Sequence, residues 1–459
     1  MFLKILFLIA ITALVKSEYV SYKNHKVYKV TPETDKHVEI LNDVENEHSY
    51  MFWDQGIRKG RNVNVMVAPE KQRAFEKFFS DAGIKAELVI QDFERTAEVQ
   101  RARPLTRSEN IRDYAWDYYM TLEEIYAWMD AVAEDYPDVA RVVSIGTTVE
   151  NRQIKGLVID HKRVPNATHG IMEGALHARE WITPATLTWI IRDFLESNDP
   201  GVRTMAEDIV WHIFPVTNPD GYVYSFTDNR MWRKNRNRAN STSCAQLNVP
   251  DDMSNGVDLN RNFDFLWNTV GASLNPCSEV FAGAGGFSEL ESRAIANYIQ
   301  QLQSSGSVLY YLGYHSFTQL MLVPYSHTAG ADVLEVDNYG DLFEIAVRGM
   351  EKLTARHNTP YTVGASADIL YPVSGSGFDW AKGGAKIPLV FLFELRDLGE
   401  YGFLLPPDQI IPNNEEVMDG LVEMHRIARS MGYYRGSAGV LSNSVLVMII
   451  SVVAVLSFK

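Results

Sequence analysis

Three polar clusters follow directly after apolar segments of the chain, and their side chains are of the types that bind metals and move protons. GIMEGALH ends at His177, with Glu180 three residues later; VLYYLGY precedes His315, and PLVFLF precedes Glu394. In open α/β sheets, ligands bind at the carboxyl ends of strands, where such clusters would meet. Because a buried ionisable group is costly without a partner, a shared metal would offset the cost of all three clusters.

His177, Glu180 and His315 together form a set of two histidines and one carboxylate. This set is typical of a catalytic zinc site that leaves a fourth position for water. His-x-x-Glu alone is weak, since about one occurs by chance in a chain of average composition this long. The coincidence of three strand ends favours the site. Glu394 would then be the general base for water, and its alternative is an ion pair with Arg396.

Two arginine-bearing segments could deliver positive charge to the same region. Arg233 lies in RMWRK, which begins at Arg230, and Arg261 lies in DLNRN. The chain has a formal net charge of −15, so these guanidiniums suit a bound anion, because the arginine fork matches a carboxylate. The alternative for the first segment is a solvated basic face.

The composition limits the class of protein. The chain has 459 residues, of which 46% are hydrophobic and 22% charged, as in a soluble protein with two or three domains. The acidic balance argues against a general nucleic-acid binder. Two cysteines cannot form a disulfide-dense fold or a four-thiolate zinc site.

Both ends of the chain are compositional outliers. Residues 1–17 read MFLKILFLIAITALVKS and predict a secretory signal peptide; a buried strand or a membrane anchor is the alternative. Residues 436–459 combine small residues, a short polar spacer and an apolar run from Val445. This pattern resembles a GPI-attachment signal, and a short single-pass tail is the alternative.

A signal peptide would expose the mature chain to an oxidising compartment. Cys244 and Cys277 are then expected to pair, closing one loop. Two glycosylation sequons, at Asn166 and Asn240, fit the same compartment, although each alone is a weak signal.

The N-terminal part, residues 18–94, alternates between strand-like and helix-like segments, which predicts a small ferredoxin-like α+β unit. The next segment, ERTAEVQRARPLTRSE, is interpreted as a polar connector that proteases can cut. Arg107 is the favoured position, because Arg103 precedes a proline. An ordinary charged helix end is the alternative for this segment.

From about Thr121 the pattern becomes α/β. Thr121 and Glu124 predict a capping box at the start of a helix, and Ser288 and Glu291 predict another. Apolar strand candidates are residues 154–159, 170–176, 209–214, 308–314 and 388–393. Buried strands that alternate with helices predict a mixed, largely parallel sheet covered on both faces.

These motifs occur in an order that resembles one family. The motifs are HAREW from His177, NPDGY, RMWRK, DLNRN, GYHS, ILYPVSGSGFDW and FELRD, and the resemblance extends over about residues 20–432. The chain resembles the zinc metallocarboxypeptidases of the pancreatic A/B subfamily, which carry an N-terminal propeptide. The resemblance implies an eight-stranded mixed sheet flanked by helices, preceded by a ferredoxin-like propeptide.

The resemblance also implies a role for each matching residue. The implied zinc ligands are His177, Glu180 and His315, with Asp258 orienting the first. Glu394 is implied as the catalytic base that later acts as an acid, and Arg233 as the group that stabilises the oxyanion. The implied substrate-binding residues are Asn260, Arg261 and Tyr371 for the terminal carboxylate, and Arg179, Ser316, Phe378 and Phe403 for the neighbouring subsites.

The implied activity is zinc-dependent removal of the C-terminal residue from peptides and proteins with a free C-terminus. Phe378 occupies the position that sets side-chain preference in this family, and an apolar residue there predicts release of aliphatic or aromatic residues. Val373 and Leu392 match other walls, while Ser326 and Ser366 add small polar groups. The bulky Phe378 and Leu392 predict a shallow pocket that prefers medium aliphatic residues to tryptophan.

The composition of the ends and the resemblance together divide the chain by role. The ends predict a signal peptide (1–17) and a hydrophobic tail (436–459), and the resemblance implies a propeptide with linker (18–107) and a catalytic domain (108–435). We expect a monomeric, extracellular proenzyme, secreted or tethered to a membrane as the carboxypeptidase O-like tail suggests, and activated by a trypsin-like protease. The alternatives are an enzyme with the same site and another C-terminal specificity, and a cell-surface binding protein on the same scaffold.

Overall fold

A computed structural model describes residues 19–105, 108–247, 249–328 and 336–434. The predicted signal peptide, the predicted cut at Arg107 and the predicted tail lie outside these residues. In the part of the chain that is described, no helix is both long enough and apolar enough to cross a membrane.

The N-terminal unit has one antiparallel sheet of four strands in the order β2-β3-β1-β4. Its strands are β1 (Lys26–Thr31), β2 (Met51–Phe52), β3 (Val63–Val67) and β4 (Lys85–Ile90). Its helices are α1 (Asp35–Asn46), α2 (Gln72–Asp81) and α3 (Phe93–Arg101). Leu41 of α1 and Phe75 of α2 share one core with Val30 and Val65 of the sheet. The predicted ferredoxin-like unit is confirmed.

The connector predicted after residue 93 is wrong in its first part, because that part is α3. Asp92 caps this helix by accepting a hydrogen bond from the Arg95 backbone N–H. Phe93, Ala97 and Gln100 are buried. Their spacing gives one buried face on a helix whose other positions are charged or polar, so the sequence pattern resembled that of a solvated linker.

The large unit contains an eight-stranded sheet in the order β11-β10-β12-β9-β7-β8-β6-β5. Its strands are β5 (Ala140–Thr147), β6 (Gln153–Ile159), β7 (Thr168–Glu173), β8 (Val210–Phe214), β9 (Ser307–Ser316), β10 (Leu320–Val323), β11 (Thr362–Ala365) and β12 (Leu389–Leu395). The central strands β12, β9, β7 and β8 run parallel to one another. β12 pairs antiparallel with β10, and β6 pairs antiparallel with β8 and β5. The predicted mixed sheet is therefore confirmed.

Helices cover both faces of this sheet. They are α4 (Leu122–Asp135), α5 (Ile182–Glu196), α6 (Pro200–Asp208), α7 (Pro219–Thr227), α8 (Leu290–Ser305), α9 (Tyr339–His357), α10 (Ser366–Ile369), α11 (Gly377–Asp379) and α12 (Ile410–Ser430). One apolar core contains residues of α5, α9 and α12, and a second contains residues of α8. Because both faces are covered, the central strands are buried along nearly their whole length, as parallel strands usually are.

Only one of the two predicted capping boxes forms. Thr121 and Glu124 cap α4 reciprocally, as predicted. The box predicted at Ser288 and Glu291 is wrong, because α8 begins at Leu290 and its N-cap residue makes no side-chain capping bond. Asn262 serves this end instead, since its Oδ1 accepts a hydrogen bond from the Glu289 backbone N–H.

Cys244 and Cys277 form the predicted disulfide, with an S–S distance of 1.99 Å. The bond connects the segment after RMWRKNRNR to the loop that precedes α8. It therefore holds together two irregular segments beside the strand ends where the predicted site lies.

Candidate active site and metal centre

The three predicted metal-binding side chains converge at the carboxyl ends of two neighbouring parallel strands. His177 and Glu180 lie in the turn between β7 and α5, and His315 lies near the end of β9. His177 Nδ1 is 2.7 Å from Glu180 Oε1 and 3.0 Å from His315 Nδ1. His315 Nδ1 is also 3.0 Å from Glu180 Oε2. The adjacency of β7 and β9 therefore brings together residues far apart in the chain.

This donor set fits a zinc ion. Two imidazole nitrogens and two carboxylate oxygens face one another in a buried space, and the three residues are at most 4% exposed. Two nitrogen lone pairs that point at each other repel unless a proton or a cation lies between them. Two histidines and one carboxylate are the ligands of many catalytic zinc sites.

Asp258 connects the metal-binding histidine to an arginine. Its Oδ1 lies 3.2 Å from His177 Nε2, and its Oδ2 accepts two hydrogen bonds from Arg233, at 3.0 and 2.9 Å. Burial would raise the pKa of Asp258, but Arg233 and Arg261 outweigh it and hold the pKa well below its usual range. A permanent carboxylate can thus orient both His177 and Arg233.

Arg261 is a buried guanidinium with a free end. Its Nε donates to the Gly271 carbonyl at 2.8 Å, and its Nη1 donates to the Asn260 carbonyl at 2.9 Å. Its Nη2 has no hydrogen-bond partner among the described residues, although the side chain is only 2% exposed. Asn260 is held by the Gly377 backbone N–H, which donates to its Oδ1 at 3.1 Å. The two side chains leave donors available to an anion.

Glu394 lies on β12 directly opposite His315 on β9. Burial raises the pKa of Glu394 above its usual value, which suits a carboxyl that takes up and releases a proton. The alternative ion pair with Arg396 does not form, because Arg396 binds Glu416 at 2.7 Å instead. Glu394 therefore faces the cluster without an ion pair to its neighbour in the chain.

These groups line one shared cavity. The predicted site residues that line it are His177, Glu180, Arg233, Asn260, Arg261, Ser316, Tyr371, Glu394 and Phe403. Val373, Leu392, Ser326 and Ser366 line it as well. Four residues of the N-terminal unit also line it, and sequence reasoning did not assign them to the site: Trp53, Asp54, Gln55 and Arg61.

Comparison with known proteins gives the family. The family model described as zinc carboxypeptidase matches residues 125–420, and the model described as carboxypeptidase activation peptide matches residues 28–100. The chain belongs to the zinc carboxypeptidase family. It is an exopeptidase that uses zinc, and it is made with an activation peptide. The His177–Glu180–His315 cluster fits that metal.

Relatives of this carboxypeptidase match most of the chain. Zinc carboxypeptidase A 1 of Anopheles gambiae is 36% identical over 421 residues, which cover 91% of this chain and 93% of that relative. Carboxypeptidase B of Bos taurus is 34% identical and covers 90% of this chain and 96% of its own length. The crystal structure of carboxypeptidase A from Helicoverpa armigera superposes with a TM-score of 0.75 at 30% identity, covering 90% of this chain and 99% of that one.

Two predicted substrate residues of the carboxypeptidase are not among the described residues that line the cavity. Arg179 is fully buried, stacks over the Phe403 ring at 4.4 Å and lies 3.0 Å from Glu279. Phe378 is 2% exposed and belongs to the same apolar cluster as Leu392. Both side chains therefore support the residues that line the cavity.

The activation peptide forms hydrogen bonds with the segment that precedes Tyr371. Arg58 donates to the carbonyls of Asp368 and Ala367, the latter at 2.6 Å. Arg61 donates to the Leu370 carbonyl at 2.7 Å. Its guanidinium also lies 5.8 Å from the centre of the Tyr371 ring. No periodic pattern in the sequence predicted these contacts, because they come from an irregular loop.

Gly56 lets this loop approach the Tyr371 side chain closely. Its φ of +65° is in the left-handed region, and a Cβ there would lie 2.3 Å from the Tyr371 Cβ. Trp53 packs nearby against Phe403, with ring centres 5.6 Å apart. The loop between β2 and β3 therefore covers the mouth of the cavity.

A second contact area lies along α3 of the activation peptide. Gln100 donates through Nε2 to the carbonyls of Phe403 and Leu405, at 2.8 and 3.1 Å. Its Oε1 accepts a hydrogen bond from Arg230 Nε at 2.9 Å. From β3, Asn64 donates to the Gly399 carbonyl at 2.7 Å. Most of these bonds end on backbone carbonyls of the catalytic unit.

Proposed function

We propose that this carboxypeptidase removes apolar C-terminal residues, using the residues that the sequence singled out. His177, Glu180 and His315 would hold the zinc ion. Zinc supplies, when bound, a Lewis acid that acidifies water and polarises a carbonyl. The Asp258 carboxylate keeps the His177 ring in one orientation, so that its Nδ1 faces Glu180.

Glu394 and Arg233 would carry the proton and charge movements. Glu394 takes a proton from the attacking water onto a carboxylate oxygen and then gives it to the departing amine nitrogen. The Arg233 guanidinium, held by Asp258, donates hydrogen bonds to the oxygen that becomes negative when the scissile carbonyl is attacked. The position of both groups on the wall of one cavity supports these roles.

The observation that carries the exopeptidase assignment is the free Nη2 of Arg261. A buried guanidinium with an open donor favours a carboxylate that can occupy it. Asn260 and Tyr371 line the same cavity and would share that carboxylate. An internal peptide bond has no carboxylate to offer, so it would leave this charge unpaired.

An apolar wall beside Glu394 supports the proposed preference. Leu392 precedes Glu394 by two residues and therefore points to the same face of β12. Leu322 on β10 lies opposite Leu392, and Leu370 and Val373 line the same cavity. A charged substrate side chain would lose its hydration there without gaining an opposite charge. Medium aliphatic residues should be released faster than tryptophan.

A panel of blocked dipeptides that differ in the C-terminal residue tests this preference. We expect Leu and Phe to be released faster than Lys and Glu. Faster release of Lys or Glu would replace the proposal with an enzyme that has the same site and another specificity.

We also propose that residues 18–107 keep the catalytic unit, residues 108–435, latent until a trypsin-like protease cuts near Arg107. The contacts of Trp53, Arg58 and Arg61 at the cavity mouth support this. The uncut chain should be much less active than the chain cut before Ser108. Equal activity of the two forms would refute latency.

Secretion through a signal peptide and tethering through residues 436–459 complete the proposal. Asn166 is exposed and Asn240 is partly exposed, which suits glycosylation at both sequons. Cells that express the full chain should release it on treatment with phosphatidylinositol-specific phospholipase. Retention after this treatment, with the chain still at the cell surface, would favour a transmembrane tail.

A further inference from the structure

Two serine hydroxyls interrupt the apolar wall of the cavity. Ser366 directly follows β11, and Ser326 lies three residues after β10. These strands are parallel neighbours, with Val323 opposite Ala365, so the two serines leave the sheet at the same edge. Ser326 Oγ and Ser366 Oγ are 3.0 Å apart, both residues are 2% exposed, and both line the cavity.

The backbone around the two serines is fixed by hydrogen bonds. The Ser326 carbonyl accepts from the Val373 N–H at 2.7 Å, and the Ser366 carbonyl accepts from the Leu370 N–H at 2.9 Å. The Ser326 N–H donates to Asp379 Oδ1 at 2.8 Å. The two hydroxyls are therefore held in one arrangement, so that a ligand would meet them already positioned.

The pair retains hydrogen-bonding capacity toward the cavity. Each hydroxyl has one proton and two acceptor sites. The bond between the two oxygens uses one proton and one acceptor site. Ser326 Oγ is the donor in this bond, and acceptor sites remain on both oxygens. A substrate group that donates a hydrogen bond would fill them.

The carboxylate beside the two serines, Asp379, already has hydrogen-bonding partners. Asp379 is fully buried, receives the Ser326 N–H and lies 2.8 Å from His327 Nδ1. Asp379 is not among the described residues that line the cavity. A neutral donor is therefore favoured over a cation, which would need a facing carboxylate to offset its lost hydration.

We propose that Ser326 and Ser366 select C-terminal residues that combine an apolar body with a neutral hydrogen-bond donor: tyrosine over phenylalanine, glutamine over methionine, or threonine over valine. This inference rests on the proposed function and extends its substrate class from apolar residues to uncharged residues that can donate a hydrogen bond. An apolar isostere leaves the buried hydroxyls without a partner, and sites built to bind a hydroxyl or an amide discriminate strongly against such analogues.

The test uses the full chain after limited trypsin cleavage and three isosteric pairs of blocked dipeptides, ending in Tyr or Phe, Gln or Met, and Thr or Val. At least one pair should favour the donor by about tenfold in kcat/KM. The length of the favoured side chain then gives the depth of the serine pair. If tyrosine is favoured, O-methyltyrosine, which keeps the oxygen but lacks the proton, should behave like phenylalanine.

The double variant Ser326→Ala, Ser366→Ala should lose this preference and reduce the ratio within the favoured pair to about one. A merely structural role would change both members of a pair equally. If the double variant does not fold, Ser366→Ala alone should reduce the ratio. The inference is overturned if every apolar member is released as fast as its donor isostere, or if the preference survives the substitutions. Release of Lys or Glu ahead of all six residues would instead refute the proposed function.

Discussion

The catalytic cavity has two sides that are built in different ways. Its floor consists of side chains at the ends of central parallel strands and in the irregular segments beside them. Buried charges satisfy one another there: Asp258 contacts both His177 and Arg233. Its cover consists of the loop between β2 and β3, whose arginines bind backbone carbonyls. A change in the floor leaves a buried charge unpaired, whereas a change in the cover removes one bond of several. The floor should therefore be intolerant of substitution, and the cover separable from it.

Glu394→Gln tests the floor with the largest expected effect. The amide cannot accept and return a proton, so kcat should fall by about 10³-fold or more. Zinc content should stay at one per chain, because the substituted side chain is not among the proposed ligands. Glu400→Gln, on the exposed segment after β12, is the matched control and should keep normal turnover. Retained activity in the Glu394→Gln variant would refute the role of Glu394 as base.

Arg261→Lys tests whether the floor recognises a carboxylate through the arginine fork. Lysine keeps the charge but loses the planar pair of donors, so kcat/KM should fall by roughly 10- to 100-fold, mainly through KM. Arg141→Lys on the exposed face of β5 should have no effect. An unchanged KM would mean that Arg261 is structural.

The double variant Arg58→Ala, Arg61→Ala tests the cover. Loss of the bonds to Ala367, Asp368 and Leu370 should loosen the Tyr371 segment, and the uncut chain should become several-fold more active than the uncut wild type. After cleavage the two proteins should be equally active. Arg73→Ala, on the exposed part of α2, provides the control. No gain in the uncut form would show that other contacts, such as those of Gln100, maintain latency.

Glu45→Gln, in α1, tests the stability of the activation peptide that carries the cover, and it has the smallest expected effect. Burial raises the pKa of Glu45 to about 7, and His25, His48 and Glu279 line the same cavity. Because the folded-state pKa lies above the ordinary value, the protonated form favours folding, and this contribution is lost as pH rises through about 7. The substitution should raise the melting temperature of the full chain at pH 8 more than at pH 5. An equal shift at both pH values would contradict this assignment.

The floor was largely predictable from sequence, and the cover was not. His177, His315 and Glu394 each follow a run of apolar residues, and parallel strands end at one edge, so their meeting point follows from local pattern. Arg58 and Arg61 lie in an irregular loop, where no periodicity connects them to carbonyls some 300 positions later in the chain. Contacts of this kind depend on how two units pack together.

Other differences have local causes. β5 was not identified because only one of its eight residues is fully buried. β10 and β11 have four residues each, which is short for a pattern. Helix α3 was interpreted as a connector because its buried face has only Phe93, Ala97 and Gln100. The capping box predicted at Ser288 does not form, because Asn262, which is distant in sequence, binds the N-terminal end of α8 instead.

The most direct test of the central claim compares one blocked dipeptide that ends in leucine with its C-terminal amide, both treated with the trypsin-cleaved, zinc-loaded full chain. If Arg261 and the metal cluster form one exopeptidase site, the free acid should be hydrolysed, and the amide should react at least about 10²-fold more slowly, because it leaves the guanidinium unpaired. Hydrolysis of both substrates at equal rates would contradict the account.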